Sequence, residues 1–299
     1  MISDTFYQKL FQNATIFLNA AIYNFNKGFA SHDYRVLSVV LTQMALELAI
    51  KMRITKDYGV RTILEDDIST ATDQDILDGY ETNSLRVKEF ETLKNFLKSQ
   101  REYNMYFSGE YTYMERFQKF RNKLVHFDYN FTDQELEQLE DDIIHVIVNI
   151  LHILISSNVS YEEYREFMEE NINTTEYQKL LTNKSYMDAL QDIIVHEYGD
   201  VYFCPICSRN LFLPIRKCLG CLNNFNNPSV FGFVNCNYCG EETVIYDSCN
   251  IDYNHSLRGL CLRCENDTVV YKCPECGNIF NLENSEENGC IPGYCSMDN

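Results

Sequence analysis

The chain of 299 residues holds 44 acidic against 25 basic side chains, a formal net charge of −19, and the excess is shared: 19 basic face 32 acidic residues over 1–199, and 6 face 12 over 200–299. Affinity for phosphate comes mainly from Lys and Arg releasing counterions, so this balance excludes a general-purpose nucleic-acid binder and confines any such role to a local basic patch. The length allows two domains, and all 13 cysteines fall between Cys204 and Cys295, which predicts a helical domain over 1–158, a helical extension or linker over 159–199 and a Cys-rich module over 200–299.

No basic, apolar, small-residue start reads as a signal peptide. The longest apolar run, Ile143 to Ile155, is broken by His145, Asn149 and His152, too short and too polar to span a bilayer. The expected compartment is the reducing cytoplasm, with no membrane partner, where cysteines at CxxC spacing serve as metal ligands rather than disulfides.

In chain order, apolar spacing predicts a first helix from about Ser3 to Phe25, with Phe6, Leu10, Phe17, Ala21 and Phe25 on its core face and Gly28 as a stop. A second runs from about Asp33 to Lys56. Its buried stripe is read as Leu37, Leu41, Met44, Ala45 and Leu48, and Gln43, Glu47 and Lys51 as a solvated row with i,i+4 support. Gly59 to Ser84 reads as a loop with one helical turn. A third helix is expected from Leu85 to about Tyr106, and a fourth from near Glu110.

Thr132-Asp-Gln-Glu135 is a capping-box start for a fifth helix reaching about Ser156. On it Gln138, Asp142, His145, Asn149 and His152 read as the polar side of an amphipathic helix rather than a metal site. Helices over Tyr161–Asn171 and Thr174–Ile194 are expected either to finish the helical domain or to serve as an arm to the Cys-rich module.

From Glu115 to His126 the chain reads Glu-Arg-Phe-Gln-Lys-Phe-Arg-Asn-Lys-Leu-Val-His, with Arg116, Lys119, Arg121 and Lys123 against a single acid. That local reversal of charge is where an anionic substrate is tolerated. At 100° per residue Phe117, Phe120 and Leu124 share one side, while His126 projects roughly opposite, with Asn122 one turn earlier beside it. Arg121 lies about 140° round from His126. The two therefore meet only if the helix ends or bends near Val125, or if the residues converge with those of a second copy across a dimer axis.

Arg121-Asn-Lys-Leu-Val-His126 resembles the Arg-x(4–6)-His signature of HEPN domains, in the form where a polar residue directly follows the arginine. Gln43-Met-Ala-Leu-Glu-Leu-Ala-Ile-Lys51 is similar to the second-helix segment of the same superfamily. The resemblance covers roughly residues 1–155 and implies an all-α HEPN-like bundle that dimerises through the motif helix and cleaves RNA without a catalytic metal. It implies His126 as general base or acid on the ribose 2′-hydroxyl or the leaving oxygen. Arg121 would neutralise the charge growing on the phosphorane, Asn122 would orient the histidine or a phosphate oxygen, and Lys119, Lys123 and Arg116 would contact the RNA backbone. In the antitoxin-controlled HEPN toxins a tyrosine lies two residues after the histidine. Here the order is His126-Phe-Asp-Tyr129, so that regulation is not carried over.

Five CxxC pairs follow: Cys204/Cys207, Cys218/Cys221, Cys236/Cys239, Cys261/Cys264 and Cys273/Cys276. Each is a zinc-knuckle half-site, and Gly240 and Gly277 after the second cysteine fit its tight turn. Sequential pairing gives Cys204/207 with Cys218/221, Cys236/239 with Cys261/264, and Cys273/276 with Cys290 and Cys295, leaving Cys249 spare. A competing scheme joins Cys261/264 to Cys273/276 and gives Cys236/239 the ligands Cys249 and His255. About three closed, structural zinc sites are expected in a β-rich zinc-ribbon module, with short hairpins near Thr243–Tyr246 and Thr268–Tyr271. Its six basic residues, among them Arg209, Arg216, Lys217, Arg258 and Arg263, point to protein contact over tight RNA binding.

The reading is a cytoplasmic, homodimeric endoribonuclease with a zinc-ribbon tail, used in prokaryotic defence or as a toxin. The alternative is a non-catalytic HEPN scaffold whose zinc ribbons dock a protein or nucleic-acid partner. Cleavage of single-stranded DNA is a third possibility, which attack by a 2′-hydroxyl forbids.

Overall fold

The first fifty-odd residues make two 27-residue helices, α1 (Ile2–Gly28) and α2 (His32–Tyr58), joined by a short connection and packed along each other. Their buried faces supply Ala14, Leu18, Ala21 and Ile22 from α1 and Val39, Ala45, Leu46 and Ala49 from α2, each at most 1% exposed. A computed structural model gives residues 2–28, 31–68, 70–82, 84–100, 110–127, 131–155, 160–284, 290–291 and 294–295; within these, the side chains of 110, 111, 126, 127, 193, 196–198, 284, 291 and 294 lie outside the described set. The chain divides into two units, Met1–Leu190 and Gln191–Asn299.

The face that α2 buries differs from the expected one. Leu37 and Met44 are 47% and 41% exposed, while Arg35, Ser38, Thr42 and Gln43 turn inward. Apolar residues occupy most of the circumference of α2, so their spacing alone could not choose a face. Packing against α1 and the later helices makes the choice.

Beyond α2, a 3-10 turn at Val60–Ile63 leads to α3 (Asp73–Glu81), where one helical turn was expected. Thr72 and Asp75 form a reciprocal capping box at its start and Ile76 anchors it in the core. Helix α4 (Phe90–Ser99) begins later than expected, since Leu64 and Val87 form an extended bridge, and ends earlier, where Gln100 turns extended as its C-cap; residues 101–106 lie outside the described set.

Helix α5 (Glu110–Phe127) carries the basic motif and buries Met114, Phe117, Phe120 and Leu124. Helix α6 (Asp133–Ile155) starts at the expected box, where Glu135 N–H donates to Thr132 Oγ1 and Thr132 N–H to Glu135 Oε2. The polar row on α6 is not a solvated face, because Asp142 and Asn149 have no exposed surface. Helix α6 meets α1, α2 and α5, so little of its circumference is left for solvent. Its polar row instead meets the motif helix: Arg116 Nε donates to both carboxylate oxygens of Asp142, at 2.8 and 2.9 Å, Arg116 Nη2 adds a further bond, and Tyr113 stacks on His145 with centroids 3.7 Å apart. Burial pushes the Asp142 carboxyl up from its usual range, against the downward pull of Arg116; the hydrogen bonds to Asp142 raise Arg116.

Helices α7 (Tyr161–Asn171), α8 (Thr174–Leu180) and α9 (Lys184–Tyr198) follow. The helix expected over Thr174–Ile194 is thus two, broken where Asn183 Oδ1 accepts the Tyr186 N–H. Asn19 of α1 bonds the Asn171 carbonyl and the Asn173 amide, and Asn26 bonds Glu176. The segment through Leu190 belongs to the helical unit, while residues 191–198 of α9 fall in the second. Among the described residues no helix is long and apolar enough to cross a membrane.

The second unit is β-rich. A two-stranded ribbon, β1 (Phe212–Leu213) with β2 (Lys217–Cys218), precedes an antiparallel sheet of β3 (Phe231–Val234), β4 (Val244–Asp247), β5 (Ser256–Cys261), β6 (Asp267–Lys272) and β7 (Ile279–Asn281), paired in sequence order. The expected hairpins are thus parts of one meander, whose inner face buries Val234, Val244, Tyr246 and Val270. A last ribbon joins β8 (Cys290–Ile291) to β9 (Tyr294–Cys295).

Arg116→Met strands a buried carboxylate and is expected to cost roughly 3 kcal/mol. An Arg116→Met/Asp142→Leu double variant should recover most of it; urea denaturation of the three proteins checks both.

Candidate functional site

Three helices of the first unit enclose a polar groove of about 360 Å³, to which α2 gives Gln43, α4 gives Glu91 and Lys94, and α5 gives Glu115, Gln118, Lys119, Arg121 and Asn122. Helix α5 is held by its apolar side and by Arg116, and this presents residues 115, 118 and 122, one turn apart, to the groove. Arg121 and Asn122 line the same cavity, with Arg121 Nη1 donating to Asn122 Oδ1 at 2.9 Å. Among the described residues neither the buried Arg121 Nε nor the buried Gln43 Oε1 has a hydrogen-bond partner.

The four cations of the motif separate into two kinds. Arg116 is held by Asp142, and Lys123 by Glu135 at 3.2 Å. Lys119 and Arg121 line the groove, and Lys119 forms no ion pair among the described residues. His126 lies in the last turn of α5, but its side chain, like the whole of Tyr129, lies outside the described residues. The helix runs on through Phe127, so it does not end at Val125.

Lys94 escaped the sequence reading. It is 2% exposed between Leu93 and Leu97, with Nζ 2.9 Å from the Glu91 carboxylate and 3.2 Å from Gln118 Oε1. One lysine in an amphipathic helix carries no signal that it faces inward. Gln43 had a signal, its place in the second-helix segment, yet its four-residue spacing to Glu47 and Lys51 favoured the solvated reading. In the structure Glu47 and Lys51 pair with each other at 2.5 Å while Gln43 turns in.

The second unit holds three groups of four cysteines positioned for metal binding: Cys204, Cys207, Cys218 and Cys221; Cys236, Cys239, Cys261 and Cys264; Cys273, Cys276, Cys290 and Cys295. This is the sequential pairing. Cys249 is exposed, its Sγ 3.0 Å from the Ser229 carbonyl, and neither it nor His255 joins a group. Sulfur separations of 3.7 Å (Cys204–Cys221), 3.6 Å (Cys207–Cys218), 3.9 Å (Cys239–Cys261) and 3.5 Å (Cys276–Cys290) match the edge of about 3.8 Å expected for a tetrahedron with metal–sulfur bonds near 2.3 Å. They are far beyond a disulfide bond.

Each knuckle repeats one local geometry. In four of the five pairs the first cysteine's N–H bonds the carbonyl five residues on, and its carbonyl accepts the N–H four residues on, as with Cys236, Glu241 and Gly240. The residue after the second cysteine is left-handed in all five: Ser208, Leu222, Gly240, Glu265 and Gly277, with φ between 56° and 76°. Only two of these are glycine. Backbone N–H groups of Cys276 and Glu275 help to hold the Cys273 thiol down, to about 7.

Against known proteins, no family model, no curated protein and no solved structure matches this chain.

Purified protein is expected to carry three metal ions per chain by elemental analysis. Cys249→Ser should keep all three, and Cys218→Ser should lose at least one. Gly277→Val forces a β-branched side chain into a left-handed position and should cost about 1–2 kcal/mol, read from thermal melts of the metal-loaded protein.

Proposed function

We propose that the chain is a HEPN-type endoribonuclease that needs no catalytic metal, joined to a structural zinc module. The observation that carries the reading is the Arg121 guanidinium, beside Asn122 and Lys119 in a polar groove, with a buried Nε–H that no atom of the described residues satisfies. A buried donor without a partner is costly, and a phosphate oxygen would satisfy it. In a chain of net charge −19 this groove gathers three cations against two carboxylates.

In this mechanism His126, about a turn and a half past Arg121 on the same helix, takes the proton of the ribose 2′-hydroxyl. O2′ attacks the adjacent phosphorus, and the bond to the 5′-oxygen breaks, with that oxygen taking a proton from water as it leaves. The products are a 2′,3′-cyclic phosphate and a 5′-hydroxyl end. Arg121 stabilises the charge gathered on the non-bridging oxygens, and its planar fork suits them. Lys119 contacts the neighbouring phosphate. Arg116, bound to Asp142, positions the helix, and Lys123 sits with Glu135 at the groove's exterior.

A second copy would bring a histidine to Arg121 across the dimer axis, and Val125, Leu37 and Met44 are exposed apolar residues available to such a contact. In the second unit each four-cysteine group would hold one Zn²⁺ in a closed site, which supplies folding energy. Arg216, Arg258, Arg263 and Lys272 pair with Glu242, Asp267, Glu241 and Asp252. With these cations engaged, the module suits a protein partner better than RNA.

RNA incubated with the protein in EDTA, briefly enough for the zinc to stay bound, is expected to be cut to cyclic-phosphate ends, while single-stranded DNA is left intact. Arg121→Ala should lower the rate about 10²–10³-fold and His126→Ala about 10²–10⁴-fold. Equal inactivity of wild type and variants on varied RNAs would favour the scaffold.

A further inference from the structure

The inner part of the groove holds polar groups that phosphate chemistry does not use. Lys94 is 2% exposed, and its ammonium has three hydrogens. Glu91 and Gln118 engage two of them, and the third has no partner among the described residues. Gln43, on the facing helix, is 8% exposed and presents an acceptor with no partner. The groove therefore offers a spare donor beside two acceptors, Gln43 Oε1 and the Glu91 carboxylate.

Electrostatics decides what such a place accepts. A phosphate placed on Lys94 would meet the Glu91 carboxylate that Lys94 already holds, whereas beside Lys119 and Arg121 it meets two cations. A neutral ring carrying both donors and acceptors suits the interior. Among the four RNA bases guanine alone has an acceptor edge, O6 with N7, next to paired donors, N1–H and N2–H. Lysine to O6 and N7 is a common specific contact, and the two protein acceptors take N1–H and N2–H. Adenine and cytosine would turn ring-nitrogen lone pairs towards the carboxylate, and uracil has a single N–H to give.

We propose that Gln43, Lys94 and Glu91 form a base-reading subsite that holds a guanine next to the scissile phosphate, which makes cleavage guanine-selective. The inference rests on the nuclease reading for its biological use, but the binding it predicts is independent of catalysis.

The test uses the full, metal-loaded chain and the four nucleoside 3′-monophosphates, with binding followed by calorimetry. Guanosine 3′-monophosphate is expected to bind about tenfold more tightly than the other three. Gln43→Leu should reduce that preference below about threefold while circular dichroism and melting stay close to wild type. Glu47→Gln, one turn further along α2 and outside the groove lining, should retain the preference, which controls for general damage. Equal binding of the four nucleotides, or a guanine preference that survives Gln43→Leu, overturns the subsite. Selective guanosine binding with RNA left intact sinks the nuclease reading and keeps the subsite. RNA cleavage without base preference, from mapped ends, does the reverse.

Discussion

The helical unit depends on one ion pair, between Arg116 of the motif helix and the fully buried Asp142 of the long central helix. Burying a carboxylate costs several kcal/mol unless a cation and good hydrogen bonds accompany it, so the pair stabilises little by itself but tolerates few alternative arrangements. Its geometry fixes how α5 is rotated about its own axis. That rotation puts Phe117 and Leu124 into the core and leaves Lys119, Arg121 and Asn122 for the groove. A basic helix alone attracts anions diffusely; with one of its cations engaged internally, the remaining charges are aimed.

Much of the fold was legible in the sequence. Capping boxes and apolar periods located α1, α2, α5 and α6 to within a few residues, and of the two cysteine pairings that CxxC spacing left open, the simpler sequential one is the one formed. What was not legible was the direction in which polar residues of mostly apolar helices face. Asp142 and Asn149 sit on α6 at spacing that fits a solvated side, and the packing of α1, α2 and α5 around that helix makes it an interior. Leu37 and Met44 show the converse, large apolar residues left outside because Val39, Ala45 and Leu46 fill the contact. The length of α3 was also missed, although Thr72-Asp-Gln-Asp75 carries the same signature that revealed α6.

The candidate site was half legible for the same reason. Arg121, Asn122 and Lys119 came from a linear motif. Lys94, Glu91 and Gln43 come from helices distant in sequence, and their meeting is a property of packing. Side chains that converge from different elements leave no pattern in one sequence, whereas unsatisfied buried atoms such as Arg121 Nε and Gln43 Oε1 become visible once the helices are assembled.

The three cysteine groups share one frame. The second closes at the end of β5, the third opens after β6, and the first is tied to the turn beyond β5 by the Phe203 amide on the Leu262 carbonyl. With an ion in each group, mass action applies three times to one folding event. A tenfold fall in free ion then removes about 1.4 kcal/mol per group, or about 4 kcal/mol from the whole. Such a unit would pass from assembled to unassembled over a narrow window of ion supply, so its integrity becomes a threshold function of the surrounding metal rather than a graded one.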